Sequence, residues 1–433
     1  MQKVNIFFKG HKILLILIAW ISSFILLTVF LSFDAIPFDI DLYIPILDTV
    51  VPKPLDVTLP LFSYAGIFGI AALSLNLEVG VTGISNFGKI GFFMIGCYAT
   101  GLAFLFRYPI FIAIPIGMLV TGFFGYLLAI PTLKLREDYL AIVTIAVGET
   151  LRTVLRAETW IAWPQNRQTS GGVLGLTIEN IFRSSITTDL VIGDIVILAS
   201  HVADLMFLIV ITVIFLLVYL FLEVLYNSPF GRVLKSIRDN ELAAESLGKN
   251  IVSYRIKAFV LSSVLAGLAG GVWALYIVAF SPGGFPPYYT FFLWIVIIIG
   301  GLGNNRGVIF GSLFIWGIEY LARVLTSDIP TFVGQFTKYL NPISDLYRQI
   351  FSLIPFVGEF IASLDPISFF QSLIIINPPE YYPQFVFGIL LILFLIYRPK
   401  GVFPERPIKT VADIALLEDS KEKNLSSEKD DNQ

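Results

Sequence analysis

The chain is built from successive apolar runs, each close to the roughly 20 residues that a helix needs to cross a bilayer. That pattern limits the fold more than the length of 433 residues does, which by itself would allow two or three soluble domains. Hydrophobic residues make up 56% of the chain and charged ones only 14%, against about 25% charged in ordinary soluble domains. The expected fold class is all-α: a polytopic membrane protein with about ten transmembrane helices. The spans are drawn at Ile13–Leu31, Thr58–Leu77, Gly88–Phe106, Pro109–Ile130, Tyr139–Leu155, Leu205–Leu225, Ala258–Phe280, Phe291–Leu302, Val308–Leu325 and Gln384–Tyr397. Lys3, Lys9 and Lys12 precede the first run, but it exceeds a signal-peptide core and no small-x-small site follows it. It reads as an uncleaved first helix.

Charge placement sets the orientation. With the N-terminus inside, one topology puts Lys134/Arg136, the cluster Arg232 to Lys257, Arg306 and Arg398/Lys400/Arg406 on the cytoplasmic side. The opposite loops are acidic or mixed, as in Asp34, Asp39, Asp41, Asp48 and Asp56 against Lys53. An even number of spans with both termini cytoplasmic follows. The organisation expected is a first helix and external loop over 1–57 and a transmembrane domain over 58–406. A charged cytoplasmic tail of disordered composition covers 407–433. The domain includes a basic cytoplasmic segment at 227–257 and a long external insertion at 326–383.

Several chemistries are excluded. Cys97 is the single cysteine, so no intrachain disulfide forms. His11 and His201 lie far apart, which removes a histidine-rich metal or catalytic centre. No G-x-x-x-x-G-K-[ST] loop is present, so the chain does not bind ATP in the usual way. Gly301-Leu-Gly303-Asn-Asn-Arg-Gly307 has the wrong spacing for a dinucleotide fingerprint and no βαβ unit around it. It reads as a tight turn between helices. Within the spans, Glu149/Arg152 (i,i+3) and Glu319/Arg323 (i,i+4) are spaced to pair on one helix face. They read as structural ion pairs in preference to a proton relay. No cofactor, metal or nucleic acid is expected on this chain.

The basic segment stands apart from the apolar runs. Pro229 suits a helix start, and from Arg232 to Leu247 apolar residues mix with Lys235, Arg238, Glu241 and Glu245. Gly248 can stop the helix in the left-handed conformation. The small pair Ala243-Ala244 lets another surface approach the backbone. The residues alone leave two readings open, a loop that fixes orientation and touches anionic lipid, or a handle for a cytoplasmic partner.

Collinear motifs then add a resemblance. They run Ser74-Leu-Asn-Leu-Glu-Val-Gly80, Asp138-Tyr-Leu-Ala-Ile-Val-Thr-Ile-Ala-Val-Gly-Glu-Thr-Leu-Arg152, Gly171-Gly-Val-Leu-Gly-Leu176 and Ser228-Pro-Phe-Gly-Arg232. They continue through Ser236-Ile-Arg-Asp-Asn-Glu241, Ala243-Ala-Glu-Ser-Leu-Gly-Lys-Asn250, Lys257 to Gly271, Gly300-Gly-Leu-Gly303 and Tyr397-Arg-Pro-Lys-Gly-Val402. This order resembles the branched-chain amino acid type ABC importer permeases, the M-type membrane subunit in particular. The resemblance implies a second homologous permease, two ATPase subunits that carry ATP and Mg, and an extracellular or periplasmic solute-binding protein. It also implies the plasma membrane of a prokaryote. The ATPase-coupling residues would be Arg238, Asp239, Glu241, Ala243, Ala244, Glu245, Leu247 and Gly248. Asn76, Gly83, Thr144, Gly171 and Gly172 would lie near the substrate pathway, although Asn76 and Thr144 equally suit interhelical hydrogen bonds. Gly83, Gly88, Gly91, Gly96 and Gly101 suit either tight helix packing or a broken helix. Branched-chain or related amino acids are the expected cargo. Urea, short amides or a sugar on the same machine is the alternative, and a secondary transporter without an ATPase is a further one. Ala258-Phe-Val-Leu261 lacks the proline with which the coupling motif usually ends, and the loops at Phe33–Val57 and Asp328–Tyr382 are longer than the resemblance implies.

Overall fold

The structure is a computed structural model that describes Trp20 and residues 54–133, 135, 137–158, 172–179, 184, 190–192, 195–327, 349, 388–389, 392, 396–397 and 402–403. The first and last expected spans, most of the insertion 326–383, the tail and Gly171 lie outside the described residues, isolated positions apart.

The described chain is helical, with two short antiparallel strand pairs. In order the helices are α1 (Pro54–Asn76), α2 (Lys89–Leu105), α3 (Ile110–Thr132), α4 (Glu137–Ala157), α5 (Ala199–Asn227), α6 (Pro229–Asp239), α7 (Glu241–Ser246), α8 (Ile251–Ile277), α9 (Tyr288–Gly300) and α10 (Asn305–Ser327). Among the described residues, five helical stretches are long and apolar enough to cross a membrane: Thr58–Thr82, Ile110–Thr132, Ala199–Asn227, Ile251–Ile277 and Pro282–Gly300. Each expected span between Thr58 and Leu325 coincides with a helix, displaced by a few residues at its ends.

Helices α1 and α8 are apolar all round, and such helices belong at the centre of a bundle. Both are largely buried, α1 against α5, α8, α9 and α10, and α8 against α1, α2 and α3. Close approach depends on glycine. Gly96 of α2 lies against Gly267 of α8 so tightly that a Cβ at Gly96 would strike the opposing backbone. The core centres on Phe68, which stacks on Trp316 at 3.9 Å and meets Trp273 at 5.1 Å and Phe93 at 5.3 Å. Helices α3 and α5 lie at the periphery and leave Phe111, Leu119 and Val224 exposed, as suits surfaces that face lipid or another chain.

The bundle has two distinct ends. At one end the β1 residue Leu176 pairs with Phe280 and Thr177 with Ala279 of β4 (β1, Leu176–Thr177; β4, Ala279–Phe280). Near this cap β2 (Leu190–Ile192) pairs with β3 (Ile195–Ile197) ahead of α5. The opposite end carries α6, α7 and the Gly301–Asn304 turn, where Gly301 and Gly303 take positive φ. Asn304 Nδ2 donates to the Phe403 carbonyl at 2.9 Å there.

One segment departs from simple spans. Beyond Asn76, α1 widens into a π-helical turn over Leu77–Thr82, ended by Gly83 at φ 76°. The chain then runs irregularly to Gly88 before α2 starts at Lys89. Irregular backbone inside a bundle survives only when its polar groups find partners. Here Thr144 Oγ1 accepts from Phe87 N (3.1 Å), Thr290 Oγ1 accepts from Ile90 N (3.1 Å), and Trp294 Nε1 donates to Asn86 O (3.1 Å).

Candidate functional site

Ser228 opens α6 by accepting from Gly231 N at 3.3 Å, with Pro229 in the first turn. A single helix over Arg232–Leu247 is expected from the residue pattern, but the structure divides it. Asn240 is extended (φ −157°) and its side chain caps α7 by accepting from Ala243 N at 3.0 Å. Asparagine favours such caps over helix interiors because its amide competes for backbone N–H groups. Gly248 closes α7 at φ 75°, with Gly248 N donating to Glu245 O and Lys249 N to Ala244 O.

The break turns the residues of α7 to different sides. Ala244 is buried with Ile237 and Ile251 and anchors the short helix. Ala243, Glu245 and Gly248 face outward, and a Cβ at Gly248 would meet nothing within 4 Å. Leu242 and Leu247 are 76% and 77% exposed, an apolar pair on an otherwise charged face. Glu241 is held by a two-pronged pair with Arg255 at 3.0 and 2.9 Å, which fixes α7 to the start of α8. Leu242 carries no motif signal beyond its neighbours, and only its exposure singles it out.

Arg238 joins this surface to the bundle. Its guanidinium bonds Asp239 Oδ1 (Nε, 3.0 Å) and donates through Nη1 to the carbonyl of Gly80 in the π-turn. Its side chain also packs on Gly83. Gly80 and Ser262 have no sequence signal for these roles, because their contacts come from distant segments.

Behind Gly80 lies a fully buried polar network. Lys89 Nζ is 3.1 Å from Glu78 Oε1, with both side chains entirely excluded from the surface. Lys89 also donates to Ser262 Oγ, and Ser262 donates to the Ser74 carbonyl at 2.5 Å. A lysine in the first turn of α2 opposes the helix dipole, so the Glu78 carboxylate offsets both charge and dipole. Asn76 bridges to the Gly301–Asn304 turn. It accepts from Gly303 N at 2.9 Å, and its Nδ2 donates to Asn305 Oδ1 at 3.2 Å.

Thr144 sits on α4 against the break, where it accepts from Phe87 N and donates to the Ala141 carbonyl at 2.9 Å. Gly172 is buried in a short turn at the opposite end of the bundle (φ 53°). Thus Asn76, Gly83 and Thr144 gather around the break, while Gly172 lies apart from them. The i,i+3 pair on α4 is formed, with Arg152 Nε 2.9 Å from Glu149 Oε2 and Nη2 2.5 Å from Oε1. The side chain of Arg323, the expected partner of Glu319, lies outside the described residues.

Residues 57–395 match the family described as branched-chain amino acid transport system / permease component. The chain belongs to that family. The permease is therefore a multi-pass membrane transport protein. It is 26% identical over 391 residues to a probable branched-chain amino acid transport permease protein LivM of Methanocaldococcus jannaschii, covering 82% of this chain and 96% of that one. A probable LivH permease of the same organism is 25% identical over 304 residues, covering 69% of this chain and 87% of its own. The high-affinity LivM permease of Salmonella typhimurium is 28% identical over 258 residues, 58% of this chain and 60% of that protein. No solved structure gives a significant match.

Proposed function

We propose that this permease is the M-type membrane subunit of an ATP-driven importer for branched-chain or related amino acids. An extracellular or periplasmic binding protein delivers the solute, and the complex sits in the plasma membrane of a prokaryote with both termini of this chain in the cytoplasm. A second, homologous permease completes the pathway; the coexistence of relatives named LivM and LivH in one organism supports that pairing. ATP and Mg bind the two partner ATPase subunits, and this chain binds no cofactor.

The observation that carries the reading is the exposed face of α7 joined to the broken helix through Arg238. Leu242, Ala243, Glu245, Leu247 and Gly248 offer a small apolar patch rimmed by charge, the type of surface that marks a protein contact. Movement of a subunit docked there would act on Arg238 and then on the Gly80 carbonyl and the π-turn. The π-turn adjoins both the Glu78–Lys89 pair and the contact of Gly88 with α4, so displacement at α7 reaches the middle of the bundle.

The test is leucine uptake by proteoliposomes that hold the complex and its cognate binding protein. Leucine-stimulated ATP hydrolysis and uptake are expected, both lost on Gly248→Arg together with ATPase co-purification. Stimulation by urea with no response to leucine overturns the cargo, and unchanged ATPase association in Gly248→Arg overturns the coupling surface.

A further inference from the structure

Helix α4 spans 21 residues and packs on the start of α2 and on the turns Gly172–Leu174 and Pro282–Gly284, with marginal contact to α3. At the rise of an α-helix it is about 31 Å long, enough to cross a bilayer, and Glu149 lies roughly 18 Å from its start, near its middle. There the Glu149 side chain is 39% exposed and that of Arg152 18%. Thr150, Thr153 and Arg156 continue the exposed side. A charged group facing hydrocarbon at that depth costs about 2.5–3.5 kcal/mol even on the lenient scale. Pairing lessens this cost but leaves the exposed carboxylate edge to be solvated. Lipid is the wrong neighbour for this flank, and water is the right one.

The flank borders a groove. Glu149 lines a narrow, partly open groove beside Phe87, Ile145 and Pro287, over the buried Ile90, Met94 and Phe285. The floor is the contact of Gly88, just before α2, and Gly91 on α2 with α4, where a Cβ at either would strike the α4 backbone. One rim thus carries a carboxylate with a guanidinium beside it, and the wall is aliphatic and aromatic. That is the complement of a zwitterionic head on a short apolar side chain.

We infer that this groove is one wall of the water-filled translocation pathway and that Glu149 and Arg152 set its specificity for zwitterionic amino acids. The Glu149 carboxylate meets the α-ammonium group, the Arg152 guanidinium meets the α-carboxylate, and Phe87, Ile145 and Pro287 border the side chain. The inference rests on the proposed cargo. The groove is too shallow to enclose a solute alone, so the second permease supplies the facing wall.

Cys97 is the single cysteine and is buried, which allows a direct test in a Cys97→Ala background. In the reconstituted complex, Glu149→Cys is expected to react with a charged, water-soluble methanethiosulfonate. Leu119→Cys on the exposed face of α3 is expected to react only with an apolar maleimide. Glu149→Gln, with ATPase co-purification intact, should lower leucine uptake by about 10- to 100-fold, the loss of one charged hydrogen bond. The swap Glu149→Arg/Arg152→Glu keeps the i,i+3 pair but reverses its polarity, and uptake should stay low. Full uptake in the swap means that the pair is only structural and overturns the inference. Leucine uptake by wild type with Glu149→Cys unlabelled by the charged reagent means burial against lipid or the partner, and overturns the aqueous groove. Absence of leucine uptake by the wild-type complex, with Glu149→Cys labelled by the charged reagent, overturns the proposed cargo and the zwitterion assignment, and the aqueous face stands.

Discussion

Lys89 Nζ and Glu78 Oε1 lie 3.1 Å apart across the break between α1 and α2, with neither side chain reaching the surface. Eleven positions separate them, and the intervening π-turn and irregular segment fold back to bring them together. Two buried charges offer little net stability compared with a well-packed apolar pair, but removing one alone strands the other. The pair therefore holds the break in one conformation.

Lys89→Met or Glu78→Gln alone is expected to destabilise the purified permease by about 3–5 kcal/mol. The double variant Glu78→Leu/Lys89→Met should recover most of the loss. Thermal unfolding in detergent of the three variants checks this, and equal destabilisation in single and double variants would sink it.

Arg238→Ala removes the donor to the Gly80 carbonyl and leaves the outward face of α7 intact. A charged hydrogen bond is worth about 1.5–3 kcal/mol, so uptake should fall by roughly 10- to 100-fold. ATPase association should persist, giving hydrolysis without matching transport. Uptake and hydrolysis measured on the same vesicles decide this, and loss of ATPase association would reassign Arg238 to the docking surface.

Leu242→Glu and Leu247→Glu place charge on the two exposed apolar residues of α7 without disturbing the buried Ala244. If they anchor the ATPase, each should weaken its association by about tenfold or more, about 1.4 kcal/mol. Pull-down against ATPase concentration measures the shift. The thermal stability of the isolated permease should not change.

Gly88→Ala is expected to be more harmful than Gly248→Ala. A Cβ at Gly88 collides with the Thr144 carbonyl of α4, whereas one at Gly248 meets nothing within 4 Å. Overpacking costs about 1–3 kcal/mol. The penalty at Gly248 is limited to its left-handed backbone, about 1–2 kcal/mol. Denaturation midpoints separate the two, and equal effects would mean that α2 and α4 move apart at little cost.

The apolar runs from Thr58 to Leu325 announce their helices because a stretch that must satisfy its backbone within hydrocarbon can only be helical. Pro229 and Gly248 mark the ends of the charged segment for equally local reasons, a fixed φ in the first turn and a left-handed residue after the last. Asn240 carried the same kind of local signal as a cap, but it was obscured by the amphipathic pattern on either side of it. The break at Leu77–Gly88 was legible only as a cluster of glycines compatible with either packing or interruption.

The sequence by itself determined a polytopic helical membrane protein of the branched-chain amino acid permease family, with a charged segment ended by Gly248. The helices and the end of the charged segment depend on composition, periodicity and local backbone preference, which a linear pattern carries, and the family is carried by the collinear motifs. The tertiary structure decided that Arg238 reaches the Gly80 carbonyl, that Ser262 joins the Glu78–Lys89 pair, and that Glu149 borders a groove with Phe285. Each joins groups from separate helices, and which groups meet is set by how glycine contacts such as Gly96 on Gly267 let the bundle close.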